Sequence, residues 1–73
     1  MEEEYTSEDR DRDIESAAKR KGDCHWYLAK IRTAPTAQSR AYYRQRFTAV
    51  GLAYRAAAQR VIAFDDAQEC RDA

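Results

Sequence analysis

A single proline divides this chain into two segments, and each segment places its apolar residues at helical spacing. Pro35 follows Ala34 and cannot continue a helix from upstream, because its ring blocks the preceding turn and its nitrogen carries no hydrogen. On both sides of Pro35, apolar residues recur in alternating steps of three and four. This heptad pattern is typical of helices that pack along a shared stripe. The sequence therefore predicts two long helices joined by a short turn.

The residues that we predict to face each other in this hairpin are apolar at nearly every heptad position. On helix 1 the stripe is Ile14, Ala17, Lys21, Cys24, Leu28 and Ile31, and on helix 2 it is Tyr43, Phe47, Val50, Tyr54, Ala57, Val61 and Phe64. Lysine is the one polar residue among them. We predict that the large members of this set form the core and contribute to self-association.

Capping residues set the predicted helix bounds. Thr6 or Ser7 can cap helix 1, with Asp9 at the third helical position of a capping box, and Thr36 can cap helix 2. A turn this short forces the two helices to be antiparallel neighbours. The predicted organisation is a flexible acidic tail over 1–6 and one helical-hairpin domain over 7–73, with helix 1 at about 7–33, a turn at 34–36 and helix 2 at about 37–70.

One segment of helix 1 leaves an alternative open. Basic residues followed by Gly22 and Asp23 could end one helix and cap another. The heptad spacing keeps its phase from Ile14 to Leu28, which favours a continuous helix with the glycine on its outside.

The chain has 73 residues, so it forms one domain at most, and a core of this size is marginal without a disulfide, a metal or a partner chain. Apolar residues also lie off the predicted interface. On helix 2 a second strip contains Tyr42, Ala49, Leu52, Ala56 and Ala63. We therefore predict an all-α fold in which two hairpins dimerise into a four-helix bundle, and a partner protein is the alternative cover for the strip.

Charge is strongly segregated, although the chain carries 13 basic and 13 acidic residues and is neutral overall. The net charge is −6 over residues 1–15, +9 over 16–60 and −3 over 61–73. Folding the hairpin gives a rod with an acidic open end and a basic turn end. This polarity favours three interpretations: a charged surface that assists assembly, a nucleic-acid site over residues 40–47, where arginines alternate with aromatics, or a protein-recognition surface.

For protein recognition, the candidate residues are those that the hairpin interface does not use. Arginine, tyrosine and tryptophan dominate the energetics of many protein interfaces. The predicted partner-binding residues near the turn are Trp26, Tyr27, Tyr42, Arg44 and Arg46. If these residues prove not to bind a partner, the next candidate surface is the acidic end, with Asp9, Asp13, Asp65 and Asp66.

Residues that could carry catalysis or bind a metal are sparse in this sequence. His25 is the one histidine, and its neighbour Cys24 points about 100° away on a helix, so the two form neither a catalytic pair nor a converging metal site. We predict no enzyme activity, no metal and no cofactor. The two cysteines, Cys24 and Cys70, are predicted to be free thiols in a reducing compartment, hence a cytoplasmic protein. No apolar run is long enough for a membrane span.

In size, arginine- and alanine-rich composition and two-helix outline, the chain resembles small bacteriophage early-gene products that bind and disable a host protein, such as the anti-activators of quorum-sensing regulators. The resemblance implies a dimeric hairpin that sequesters a host regulator, for example a DNA-binding transcription factor. We therefore expect a small protein-binding inhibitor, and a basic helical nucleic-acid-binding regulator is the alternative.

Overall fold

The computed structural model describes residues 4–72, and these residues form two helices, α1 over Ser7–Thr33 and α2 over Ala37–Asp72. Contacts between the two helices join residues from opposite sides of the turn. Arg10 hydrogen-bonds to Asp65 near the open end, and the Tyr27 ring contacts the Tyr43 ring near the turn. The helices are therefore antiparallel and packed against each other. The predicted all-α hairpin is confirmed, and α2 runs two residues beyond its predicted end.

Both helices begin with a threonine whose side chain satisfies a backbone N–H of the first turn. The Thr6 hydroxyl accepts from the Asp9 N–H at 3.3 Å, and the Asp9 carboxylate accepts from the Thr6 N–H at 3.0 Å, which completes a capping box. At α2 the Thr36 hydroxyl accepts from the Ser39 N–H at 3.0 Å. These caps fix the two helix starts and hence the length of the turn between them.

The hairpin is one helix thick, and it therefore encloses little. Its principal extents are 54 × 27 × 16 Å, which is two helices side by side in a single layer. Among the described residues, Ala57 is the one buried apolar side chain, with 2% of its surface exposed. The larger interface side chains stay half-buried, because water reaches both edges of the layer.

On α2 the predicted heptad stripe is the face that packs against α1. All of its members are buried or half-buried: Tyr43, Phe47, Val50, Tyr54, Ala57, Val61 and Phe64. Because these residues recur in steps of three and four, they line the contact with α1 over its whole length.

On α1 the prediction that Ile14 lies in the core of the hairpin was wrong, because the stripe that faces α2 lies one residue earlier at every second heptad position. Ile14 is 42% exposed and Lys21 is exposed, whereas Asp13 and Arg20 are half-buried. The predicted stripe and the observed stripe share Ala17, Cys24 and Ile31. Between these residues the observed stripe contains Asp13, Arg20 and Tyr27, and Leu28 remains half-buried beside it. The physical reason is that Asp13 finds charged and hydroxyl partners at the interface that Ile14 lacks.

Two further expectations concern the ends and the middle of α1. Residues 1–3 of the predicted tail lie outside the described residues, but Tyr5 packs its ring on Phe64 at 5.5 Å and Thr6 caps α1, so both belong to the fold. The helix is continuous through Gly22, which excludes the alternative break at Gly22-Asp23. Within residues 4–72, neither helix has a stretch long and apolar enough to cross a membrane.

Candidate protein-recognition surface

Four aromatic rings meet near the turn and form what we call the aromatic cluster: Trp26, Tyr27, Tyr42 and Tyr43. Trp26 stands edge-on to Tyr27 at 5.0 Å and to Tyr43 at 6.2 Å between ring centroids, and Tyr42 contacts Tyr43 at 5.4 Å. Tyr27 and Tyr43 are half-buried and form the base of the cluster. Trp26 and Tyr42 stand above them, each 52% exposed.

A cation covers each of the two exposed rings. The Lys30 Nζ lies 5.1 Å from the Trp26 ring centroid, and the Arg46 guanidinium lies 5.7 Å from the Tyr42 ring centroid. In both pairs the cation follows its ring by four residues, which places it on the same side of the helix one turn later. The contacts hold the two long side chains beside the rings and limit their rotamer freedom.

The basic charges at this end have no acidic partner within the part of the chain that the structure describes. All the ion pairs found there involve Arg10, Arg12 or Arg60, which lie toward the open end. Lys30, Arg44 and Arg46 are exposed and take part in none of them. Positive charge at the turn end is therefore available to a molecule from outside the hairpin.

The open end uses its charges internally, through two arginine–carboxylate contacts between the helices. The Arg60 guanidinium donates to both oxygens of Asp13, at 2.8 and 3.0 Å, and the Arg10 guanidinium donates to both oxygens of Asp65, at 2.6 and 3.1 Å. The Tyr5 hydroxyl donates to Asp13 at 2.6 Å. We call these five residues the open-end clasp, and it fastens the start of α1 to the end of α2.

The clasp shifts the titration of its members in the directions that its hydrogen bonds require. The hydrogen bonds from Arg60 and Tyr5 lower the pKa of Asp13 to about 2, because they stabilise its charged form. Burial of the ring and the hydrogen bond to Asp13 raise the pKa of Tyr5 to about 12. The Arg10 guanidinium likewise lowers the pKa of Asp65.

These contacts weaken the alternative in which the acidic end binds a partner. Asp13 and Asp65 are held by arginines of the opposite helix, and Asp9 is occupied by the Thr6 cap. Asp66 is exposed and takes part in no described ion pair. Three of the four acidic candidates are thus committed to the fold.

The structure brings four of the five predicted partner-binding residues together and leaves one apart. Trp26, Tyr27, Tyr42 and Arg46 belong to the aromatic cluster or to its flanking cations. Tyr27 differs from the expectation, since it is half-buried in the hairpin interface and not free of it. Arg44 is exposed, and its side chain takes part in none of the cluster contacts among the described residues.

No group of three or more histidine, cysteine, aspartate or glutamate side chains is placed to hold a metal within residues 4–72. Both cysteines are free, with Cys24 half-buried and Cys70 exposed. A depression of about 500 Å³ is open to solvent along the charged surface of α1 and is lined by Arg12, Glu15, Ser16, Lys19, Arg20 and Asp23.

No known protein family, curated protein or solved structure matches this chain. The candidate surface therefore stands on its own geometry.

Sequence reasoning missed Lys30 at the aromatic cluster and the pairing within the open-end clasp. The signal for Lys30 was present, because a cation four residues after an aromatic is a recognisable helical spacing. The clasp also had a signal. In an antiparallel hairpin, residues equally far from the turn lie opposite each other, and Asp13 and Arg60 lie at nearly equal distances on either side of it.

Proposed function

We propose that this protein is a small binding protein without catalytic chemistry, and that it captures and inhibits another protein through its turn end. The observation that carries the proposal is the aromatic cluster, in which two half-exposed rings are each covered by a cation that no described carboxylate neutralises. Tryptophan, tyrosine and arginine are the side chains that most often anchor protein interfaces.

The charge at the turn end selects the kind of partner. Lys30 and Arg46 lie directly on the rings, and Arg44 adds a further exposed positive charge near the turn. A partner surface with an apolar centre and acidic residues around it complements this arrangement in both hydrophobicity and charge. Binding of a small rod to such a surface blocks whatever the partner binds there, which supports an inhibitory role. A regulator protein of a host cell is the partner that the resemblance in size and outline favours.

The test is an affinity capture with paired variants. The immobilised full chain, Trp26→Ala and Ile62→Ala are each exposed to a bacterial lysate, and Ile62 serves as the matched control because it is an exposed apolar residue, 58% accessible, outside the aromatic cluster. We expect a protein that wild type and Ile62→Ala retain and Trp26→Ala loses. With that protein purified, Trp26→Ala and Arg46→Ala should each weaken binding about tenfold, or roughly 1.4 kcal/mol.

Several outcomes separate this proposal from its alternatives. Moderate salt should weaken the capture, because the flanking cations contribute to it. If the retained material is removed by nuclease, and its affinity falls steeply and linearly with the logarithm of salt concentration, the turn end is a nucleic-acid site instead. If Trp26→Ala lowers the melting temperature as much as a core truncation, the cluster is a structural element and the proposal is wrong.

A further inference from the structure

The face of α2 that points away from α1 carries an apolar residue at every seventh position, with Leu52 between two of them. We call it the outer face of α2, and its residues follow one another in alternating steps of three and four: Tyr42, Gln45, Ala49, Leu52, Ala56, Gln59, Ala63 and Asp66. Every one of them is exposed, and Leu52 is 62% accessible. Five of the eight residues are apolar, namely Tyr42, Ala49, Leu52, Ala56 and Ala63, and an apolar stripe on a helix is typical of a face that packs against another helix.

The side chains of the outer face suit close helix packing at its centre. Alanines recur every seven residues at Ala49, Ala56 and Ala63, and Leu52 stands between the first two. Alternation of small and large residues lets side chains of one helix fill the spaces on another. The hairpin itself is a 16 Å layer with a single buried apolar side chain among its described residues. A second layer on this face would complete a core that the single hairpin lacks.

The charges along α2 identify the molecule that forms this second layer. Its first half, residues 37–55, carries four arginines and no acid, whereas its last eight residues carry four acids and one arginine. Two α2 helices side by side in a parallel arrangement would set like charges together, and an antiparallel arrangement sets opposite charges together. We infer that a second copy of this chain covers the outer face, antiparallel, with Leu52 near the two-fold axis.

The midpoint of the outer face then determines which residues meet. The face extends from Tyr42 to Asp66, so its midpoint is residue 54, and residues equally far from it lie opposite each other. Leu52 of each copy faces Ala56 of the other, where the small side chain leaves space for it. Asp66 of one copy lies beside Tyr42 and within reach of Arg46 of the other. Asp66, which the clasp does not use, thus lies at the basic turn end of the other copy.

The first test is the oligomeric state of the full chain without any other protein, so its result is independent of the proposed capture function. Sedimentation equilibrium at low micromolar concentration should show a dimer. Leu52→Glu should raise the dimer dissociation constant at least tenfold, because it places a charge at the centre of the interface. Ile62→Glu is the matched control, since Ile62 is 58% exposed and lies about 100° around α2 from the centre of the outer face.

A folded wild-type monomer at this concentration would overturn the inference, and so would an equal effect of Leu52→Glu and Ile62→Glu. Trp26→Ala should leave the dimer intact. A Trp26→Ala protein that dimerises but captures nothing separates the two proposals, as does a wild-type monomer that still captures a partner.

The second test determines the orientation and uses exposed positions whose substitution leaves the hairpin folded. Arg46→Glu and Asp66→Arg should each weaken the dimer several-fold, and the double variant should restore it, because the charges again oppose each other across the antiparallel interface. In a parallel dimer each residue faces its own copy, so neither single variant changes the sign of the pair and the double variant restores nothing. Failure of the double variant to recover dimerisation would therefore rule out the antiparallel arrangement.

Discussion

Replacing the two glycines by alanine should stabilise the protein, and the structure sets the size of the gain. Gly22 lies inside α1 and Gly51 inside α2, and neither has a positive φ that only glycine adopts readily. A methyl group on either Cα would meet no heavy atom within 4 Å apart from its chain neighbours and the backbone of its own helical turns. The full difference in helix propensity between alanine and glycine, about 1 kcal/mol at each site, is therefore gained without a steric cost.

Because the two new methyl groups share no contact, their effects should add to about 2 kcal/mol in the double variant. For a domain of this size, each kcal/mol raises the melting temperature by about 4–8 °C. The measurement is urea unfolding followed by far-ultraviolet circular dichroism, with all proteins at one concentration because dimerisation would make stability depend on it.

Ala18→Gly provides the matched control, since Ala18 is an exposed position inside the same helix as Gly22 and should lose what Gly22→Ala gains. A gain below about 0.5 kcal/mol for Gly22→Ala, with the expected loss for Ala18→Gly, would refute the reasoning. It would show that the chain does not keep a continuous, uncovered helix at Gly22.

Two further predictions concern the hairpin. Phe47→Ala should destabilise the fold by about 2 kcal/mol, measured by urea unfolding. The loss is smaller than for a fully buried phenylalanine, because Phe47 is half-buried. A loss below about 0.5 kcal/mol would place Phe47 outside the interface. The folded-state pKa of Asp13, about 2, lies below its ordinary value of 3.8, so the stability that it contributes is complete above the ordinary value and is lost as the pH falls toward 2. The melting temperatures of wild type and Asp13→Asn should therefore converge between about pH 5 and pH 2. The control Asp23→Asn should follow wild type, since Asp23 is exposed and takes part in no described ion pair. A constant gap between wild type and Asp13→Asn would show that the charge of Asp13 is not what matters.

The candidate recognition surface was only partly predictable. Trp26 and Tyr42 could be named because they are large aromatic residues at positions that the heptad stripe does not use. The sequence could not show that both rings contact Tyr43, because this contact depends on how far the two helices are offset along each other. The contact between the tilted rings of Tyr27 and Tyr43 crosses the hairpin, and it follows only when that offset is known.

The sequence by itself determined the number of helices, their caps and the contact face of α2. Pro35 and the threonine caps act through neighbouring backbone groups, and the stripe from Tyr43 to Phe64 is apolar throughout, so local chemistry and one periodicity suffice. Only the tertiary structure decided the contact face of α1, where Asp13 and Ile14 are adjacent and belong to competing heptads. Asp13 lies at the interface because Arg60 of the other helix meets it there, and an interaction with a residue 47 positions away cannot be read from the periodicity of one helix.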